Sequence, residues 1–250
     1  FDKAIKFQRE RKLPQAISAY IEYIRLAKIA KVATNALIPA YVNLATLYGA
    51  QNSIKEQTET LHELTKLAPN NAGILADVAN LDISQGRFEE AKSEAEQVLK
   101  MKPAPTFAAA AHFTLGIYYL QKNELPKAQQ EFLQTTKLAP NNAQAFMNLA
   151  ISYARDKKIP QAIAAAENAR RVAPKLLQAY VFLGNFYRES GNIPKAAQAL
   201  DGAVAIEPKI PNLQFERALL HQQIGDFTIA LKGYLSVLEL EPNNASARLN

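Results

Sequence analysis

The chain has 250 residues, 48% of them hydrophobic and 21% charged, with a net charge of +6 and no cysteine. That balance supplies ample apolar material for a core and excludes disulfides, thiolate metal sites and cysteine nucleophiles. No apolar run approaches the roughly 18 residues that a bilayer-crossing helix requires, so no transmembrane segment is expected.

The positive charge is concentrated at the start. Residues 1–31 contain eight Lys or Arg against Asp2, Glu10 and Glu22. A protein that tracks nucleic acid carries basic groups along its whole groove, so no nucleic-acid partner is expected. Arg25, Lys28 and Lys31 recur every third residue and read as a solvated stripe on one helix. Further along, Pro69, Pro103, Pro140, Pro174, Pro208 and Pro242 each close a helical stretch, at successive intervals of 34, 37, 34, 34 and 34 residues. Self-similarity at 34 residues marks a helix–turn–helix solenoid. Such a stack offers a long surface for binding and no built-in place for chemistry. The units read as 1–34 (partial), 35–71, 72–105, 106–142, 143–176, 177–210 and 211–244, with 245–250 opening an eighth. The whole chain is thus expected to form one solenoid.

The unit from Asn142 to Pro174 shows why each forms two helices. Asn142 is a good N-cap. Phe146, Leu149, Ala150 and Tyr153 follow at i, i+3, i+4 and i+7, one face of a helix. The segment "RDKKIP" breaks the pattern, and Pro160 opens the second helix where a missing N–H costs nothing. Ala162, Ala166 and Ala169 then line a face small enough for two backbones to approach, and Pro174 ends the element.

Numbered from the start of the first helix, this pattern resembles the tetratricopeptide repeat. Large residues stand at positions 4, 7 and 11, a small one at 8, Ala at 20, a hydrophobe at 24, a small or aliphatic residue at 27 and Pro at 32. The match recurs as Tyr41, Leu44, Ala45 and Tyr48, as Leu115, Gly116, Tyr119, Ala128 and Phe132, and as Tyr180, Leu183, Gly184, Tyr187, Ala196 and Leu200. Gly86, Gly191 and Gly225 fall at position 15, the inter-helix turn, and Pro14, Pro126, Pro160 and Pro194 at position 18. In the first unit Ala4, Phe7, Ala16 and Tyr20 match positions 8, 11, 20 and 24. The resemblance implies an all-α, right-handed superhelical solenoid of antiparallel helix pairs.

Four departures carry expectations. Seven extra residues between Ala16 and Gln57 are expected to lengthen a second helix by two turns, to about Thr34. Gln57 replaces the small residue at position 20, which loosens packing there. Three extra residues after Pro103 ("APT") add one turn to the next first helix. Gln214, Arg217 and His221 replace apolar residues at positions 4, 7 and 11 of the seventh unit, making its first helix the weakest match.

No catalytic constellation is visible. His62, His112 and His221 are far apart in sequence, with His112 and His221 at packing positions and His62 expected to be exposed. No His-x-x-x-His or Glu-x-x-His spacing offers the converging ligands a zinc site needs. No Ser or Thr has a visible base and orienting partner, and no phosphate-binding glycine loop is present. The chain is therefore expected to be non-enzymatic, with no cofactor, no metal and no catalytic residue.

In the family it resembles, positions 2, 5, 6, 9, 12 and 13 of the first helix line a concave face. Here they supply Asn43, Asn80, Phe113, Ile117, Met147, Asn148, Ile151, Phe182, Asn185 and Phe215 as a candidate partner-binding groove. An apolar strip with a few convergent polar groups suits a binding site. An asparagine amide can donate to a peptide carbonyl and accept from a peptide N–H at once. Asn43 and Asn148 share position 6 and resemble an asparagine ladder, interrupted by Asp77, Thr114, Phe182 and Glu216. Ile117 and Ile151 read equally well as inter-repeat core. Arg155 and Arg188 lie near positions 12–13, and the adjacent Asp156 and Glu189 are expected to pair with them.

The expected function is a non-catalytic scaffold or adaptor that grips a protein or peptide segment, with self-association through open solenoid ends as a further route to assembly. The alternatives are a recognition arm of a larger enzyme, such as a glycosyltransferase, or of a secretion or polysaccharide-export assembly, and, less favoured, an RNA-binding repeat. The chain starts at Phe1 without a Met and stops inside a unit, which reads as a piece of a longer protein with an upstream signal or anchor left open.

Overall fold

The computed structural model describes residues 1–250 as helices joined by short turns, with no strand. They cluster into two compact units, Phe1–Lys122 and Asn123–Asn250. The boundary falls in the turn between the two helices of the fourth repeat.

The first unit holds α1 (Asp2–Arg9), α2 (Leu13–Ile29), a 3-10 turn (Thr34–Ala36), α3 (Ile38–Ala50), α4 (Ile54–Leu67), α5 (Ala72–Ser84), α6 (Phe88–Lys100) and α7 (Pro105–Gln121). Each helix packs on the next, and α5 also packs on α7, so first helices stack side by side. The second unit holds α8 (Leu125–Leu138), α9 (Ala143–Arg155), α10 (Ile159–Val172), α11 (Leu177–Glu189), α12 (Ile193–Ile206), α13 (Pro211–Gln223), α14 (Phe227–Leu240) and α15 (Ala245–Leu249), again packed in succession.

One backbone device repeats seven times. Arg11, Asn52, Gly86, Asn123, Lys157, Gly191 and Gly225, all at position 15, have φ between 56° and 83°. This left-handed residue reverses the chain between the helices of every repeat, and glycine adopts it without strain at three of the seven. The expected prolines sit in the first turn of α2, α8, α10 and α12, where no N–H is needed. Asn71, Asn142 and Asn244 cap α5, α9 and α15 by accepting from backbone N–H groups two or three residues on.

Small residues let the helices meet. Ala16, Ala91, Ala128, Ala162 and Ala196, at position 20, are completely buried. Larger side chains fill the space between: Tyr20, Leu64, Val78 and Val98 in the first unit, and Phe132, Leu183, Leu220 and Val237 in the second. Fully burying each of the apolar ones contributes about 1.5–3 kcal/mol.

The departures resolve in different ways. The extra turn after Pro103 is present, since α7 has 17 residues where the other full first helices have 13. The lengthening of α2 to Thr34 is corrected: the helix ends at Ile29. Lys31 turns left-handed (φ 52°), and Val32 N–H reaches back to the Ala27 carbonyl at 3.0 Å, closing the helix. The remaining inserted residues form the 3-10 turn. Gln57 is accommodated rather than loosely packed, because a Cβ on Gly49 would lie 2.7 Å from its Nε2. The missing side chain at Gly49 makes the room that Gln57 occupies. The polar residues of α13 also find partners: Gln214 Nε2 donates to the Pro208 carbonyl at 2.9 Å, Arg217 Nε donates to Asp201 Oδ1 at 2.6 Å, and His221 Nε2 lies 3.0 Å from the same oxygen, while its buried Nδ1 has no hydrogen-bond partner and lies 3.6 Å from Asp226 Oδ2.

Candidate functional site

In the first unit, the exposed edges of α3 and α5 and the extra first turn of α7 enclose a pocket of about 490 Å³. Val42, Ala45, Leu81 and Phe107 give it apolar walls, and Thr46, Gln57, Asp77 and Asn80 supply polar groups. Several of these are first-helix positions 5, 6 and 9. Thr46 Oγ1 already donates to the Val42 carbonyl at 2.8 Å. Burial raises the Asp77 carboxyl above the usual range, although the residue as a whole keeps contact with solvent. No donor or cation of the chain meets that carboxyl, so it is an acceptor available to a ligand. Phe107 belongs to the inserted turn and is 40% exposed, a ring beside which a side chain can settle.

The ten sequence-derived groove residues divide by environment. Asn80 lines the pocket and is exposed. Asn43 is half-buried, and its Nδ2 donates to Tyr20 Oη at 2.9 Å, whose hydroxyl in turn donates to Gln8 at 2.8 Å. Its amide is thus tied into the packing of α1, α2 and α3. Phe113 and Ile117 lie half-buried on α7.

In the second unit, Met147 is completely buried. Its assignment to the groove is corrected: position 5 borders the packed face, and the long flexible thioether folds into the core. Asn148 is half-exposed and accepts from Gln144 Nε2 at 3.3 Å. Ile151 is half-buried, and Asn185 is exposed. Phe182 stacks on Phe186 with centroids 4.4 Å apart, and Phe215 meets Tyr234 edge-on at 5.6 Å, so both rings keep only part of their surface. The pairing of Arg188 with Glu189 is also corrected, because its guanidinium donates to Glu216 on the next first helix. Asp156 pairs with Lys158 and accepts from Gln129.

Two concentrations of apolar surface lie away from these faces. A concavity of about 750 Å³ between α1 and α2 is lined by Phe1, Ala4, Phe7, Ala19, Tyr23 and Leu26. On α14, Phe227, Leu231 and Leu235 follow at i, i+4 and i+8 and are 51–69% exposed. The basic stripe is partly neutralised: Arg25 pairs with Glu22, and Lys28 lies over the Tyr41 ring near Glu63. No helix is long and apolar enough to cross a membrane.

The expectation that no ligand set converges fails at one place. His62 on α4 is half-buried rather than exposed, with Nε2 3.2 Å from Asp82 Oδ2 on α5 and 3.6 Å from Glu94 Oε1 on α6. Asp82 is fully buried and holds Arg87 through Oδ1 at 3.0 Å. Burial and the like charge of Asp82 push the Glu94 carboxyl up to about 8.

Comparison with known proteins accounts for the repeat. The chain matches tetratricopeptide repeat family models over residues 82–150 and 147–209. It belongs to the tetratricopeptide repeat family. The C-terminal part of a TPR repeat-containing protein from Cytophaga hutchinsonii superposes with a TM-score of 0.71 at 14% identity, over 98% of this chain and 96% of that one. PilF of Pseudomonas aeruginosa gives 0.68 at 17% identity over 86% and 97%. YrrB, described as a TPR protein with an unusual peptide-binding site, gives 0.61 at 16% identity over 77% and 97%. At these identities the likeness is one of fold. No curated protein sequence matches the chain. As a tetratricopeptide repeat protein it has the build of a protein-interaction scaffold.

Proposed function

We propose that the chain is a non-catalytic scaffold that holds an extended segment of a protein partner against the first-helix faces of its repeats. The observation that carries this is the pocket between α3, α5 and the first turn of α7. There apolar Val42 and Phe107 stand beside Asn80 and the unpaired Asp77 carboxyl. That set suits a peptide which places an apolar side chain beside Phe107 and presents an N–H or ammonium donor to Asp77. Asn80 can bridge a backbone amide and carbonyl whatever the side chains. In the second unit, Asn148, Asn185 and the stacked Phe182 offer the same chemistry on α9 and α11.

The test is selection of peptides by phage display on the whole chain, followed by affinity measurement on variants. Phe107→Ala and Phe182→Ala are expected to weaken binding of peptides seated at their respective units by about 1–3 kcal/mol. Asn80→Ala is expected to weaken peptides at the first unit irrespective of their side chains. Lys127→Ala and Lys195→Ala, on second helices, should change little. Loss through the lysines with full binding by Phe107→Ala, Phe182→Ala and Asn80→Ala overturns the reading. The apolar surfaces beside α1–α2 and on α14 suit self-association, which concentration-dependent sedimentation checks.

A further inference from the structure

The junction of α4, α5 and α6 brings together an imidazole and two carboxylates from residues 20 and 12 positions apart in sequence. Their nearest ligand atoms all lie within 4.8 Å of one another. We propose that His62 Nε2, Asp82 Oδ2 and Glu94 Oε1 form a site for one divalent transition-metal ion of the zinc class, which ties the second and third repeats together.

Geometry is the first support. A tetrahedral ion with bonds of about 2.0–2.1 Å holds its ligand atoms roughly 3.3 Å apart. The His62–Asp82 and His62–Glu94 separations are 3.2 and 3.6 Å, so two of the three separations already match those around a bound ion.

The second support is that the chain leaves these groups incompletely satisfied. Glu94 Oε2 is buried and has no hydrogen-bond partner. Two carboxylates side by side in a desolvated place are stabilised by a positive charge between them. Arg87 supplies one from the far side of Asp82, engaging Oδ1 and leaving Oδ2 turned toward His62. An outer partner of this kind fixes the orientation of a ligating carboxylate.

The donor set then chooses the ion. Imidazole with carboxylates suits zinc, cobalt and their neighbours, whereas calcium and magnesium prefer oxygen alone. His62 keeps about a third of its side chain in contact with solvent, which gives an ion a way in. Three protein ligands leave a fourth position for water.

The experiment uses the whole chain, stripped with chelator and titrated with Zn²⁺ by calorimetry and with Co²⁺ by visible absorption. The expected result is one ion per chain, cobalt bands of low-symmetry coordination and a Tm that rises with Zn²⁺. His62→Ala and the nearly isosteric Glu94→Gln, each confirmed folded by circular dichroism, are expected to weaken binding by about tenfold or more. His221→Ala, which removes the other buried His–Asp pair, should bind as the native chain does. No uptake of Zn²⁺ by the native chain overturns the proposal. So does binding that survives Glu94→Gln at full strength, whether or not His62→Ala folds.

Discussion

Between α4 and α5, His62 at repeat position 25 meets Asp82 at position 11; between α12 and α13, Asp201 at position 25 meets His221 at position 11. The residue types are exchanged, and so is the burial. At the first junction the aspartate is sealed and the histidine half-open, while at the second the histidine is 6% exposed and the aspartate 40%. The third charged group decides the outcome. Arg217 completes the second junction, so Asp201 has a cation and a histidine in hydrogen-bond reach. Each junction also has a second carboxylate 3.6 Å from its histidine, Glu94 at the first, where Arg87 already serves Asp82, and Asp226 at the second. A third interface uses the same positions with a neutral donor, Tyr187 Oη to Glu167 at 3.0 Å. Polar residues at positions 11 and 25 are therefore exchanged as pairs, each replacing an apolar contact with a matched one. Only at the first junction is the second carboxylate largely buried, Glu94 being 16% exposed against 39% for Asp226.

A change of pH separates the two junctions most widely. The folded-state pKa of Glu94 is raised to about 8 from an ordinary value near 4.5. The folded chain therefore keeps a proton that the unfolded chain has lost, and stability must fall as pH rises through that window. The slope from this group is at most about 1.4 kcal/mol per pH unit. In chelator-containing buffer, Glu94→Gln should remove up to about that slope from the urea-denaturation profile between pH 5 and 8, and raise stability at the upper end. A profile parallel to that of the native chain would show that the second carboxylate is not what distinguishes this junction.

Breaking the second junction should cost less. Asp201→Ala removes the acceptor shared by Arg217 and the buried His221, at an expected loss of about 1–3 kcal/mol visible in Tm. Asp201→Asn should recover part of that loss. A silent Asp201→Ala would mean that the polar face of α13 is held by solvent instead.

The smallest effect concerns another compensated pair. Gly49→Ala alone should be near neutral, since the flexible end of Gln57 must move aside. Combined with Gln57→Ala it should gain about 0.5–1 kcal/mol from helix propensity. Equal effects of Gly49→Ala in both backgrounds would show that the two residues are not coupled.

Much of the fold was legible because it is written in local signals: prolines at fixed intervals, a turn at position 15 and alanines at position 20. Where a local signal was absent the reading failed. Nothing in "YIRLAKIAKVA" announces a stop, because Lys31 enters the left-handed region without being glycine or asparagine. The site was harder, since a repeat position fixes a face and not a partner. Asn43 stands at the right position and is used by Tyr20, and Met147 shares a groove position with exposed Val42 but is sealed in the core. Phe107 escaped notice because it lies in an insertion, outside the repeat numbering. The His62, Asp82 and Glu94 cluster draws on three helices, which no sequence spacing displays. Its one signal was an acid at position 11, where the repeat prefers an aromatic, with a histidine at position 25 of the preceding helix.

The central claim, that partners are held on the first-helix faces, is tested most directly by site-specific photocrosslinking. A photoreactive residue is placed at Val42, Asn80 or Asn185 on first helices, and at Ser93 or Gln198, exposed on second helices. Each variant is irradiated with a display-selected peptide. The account predicts adducts from at least one first-helix position and none from Ser93 or Gln198. Adducts confined to the second-helix positions would contradict it.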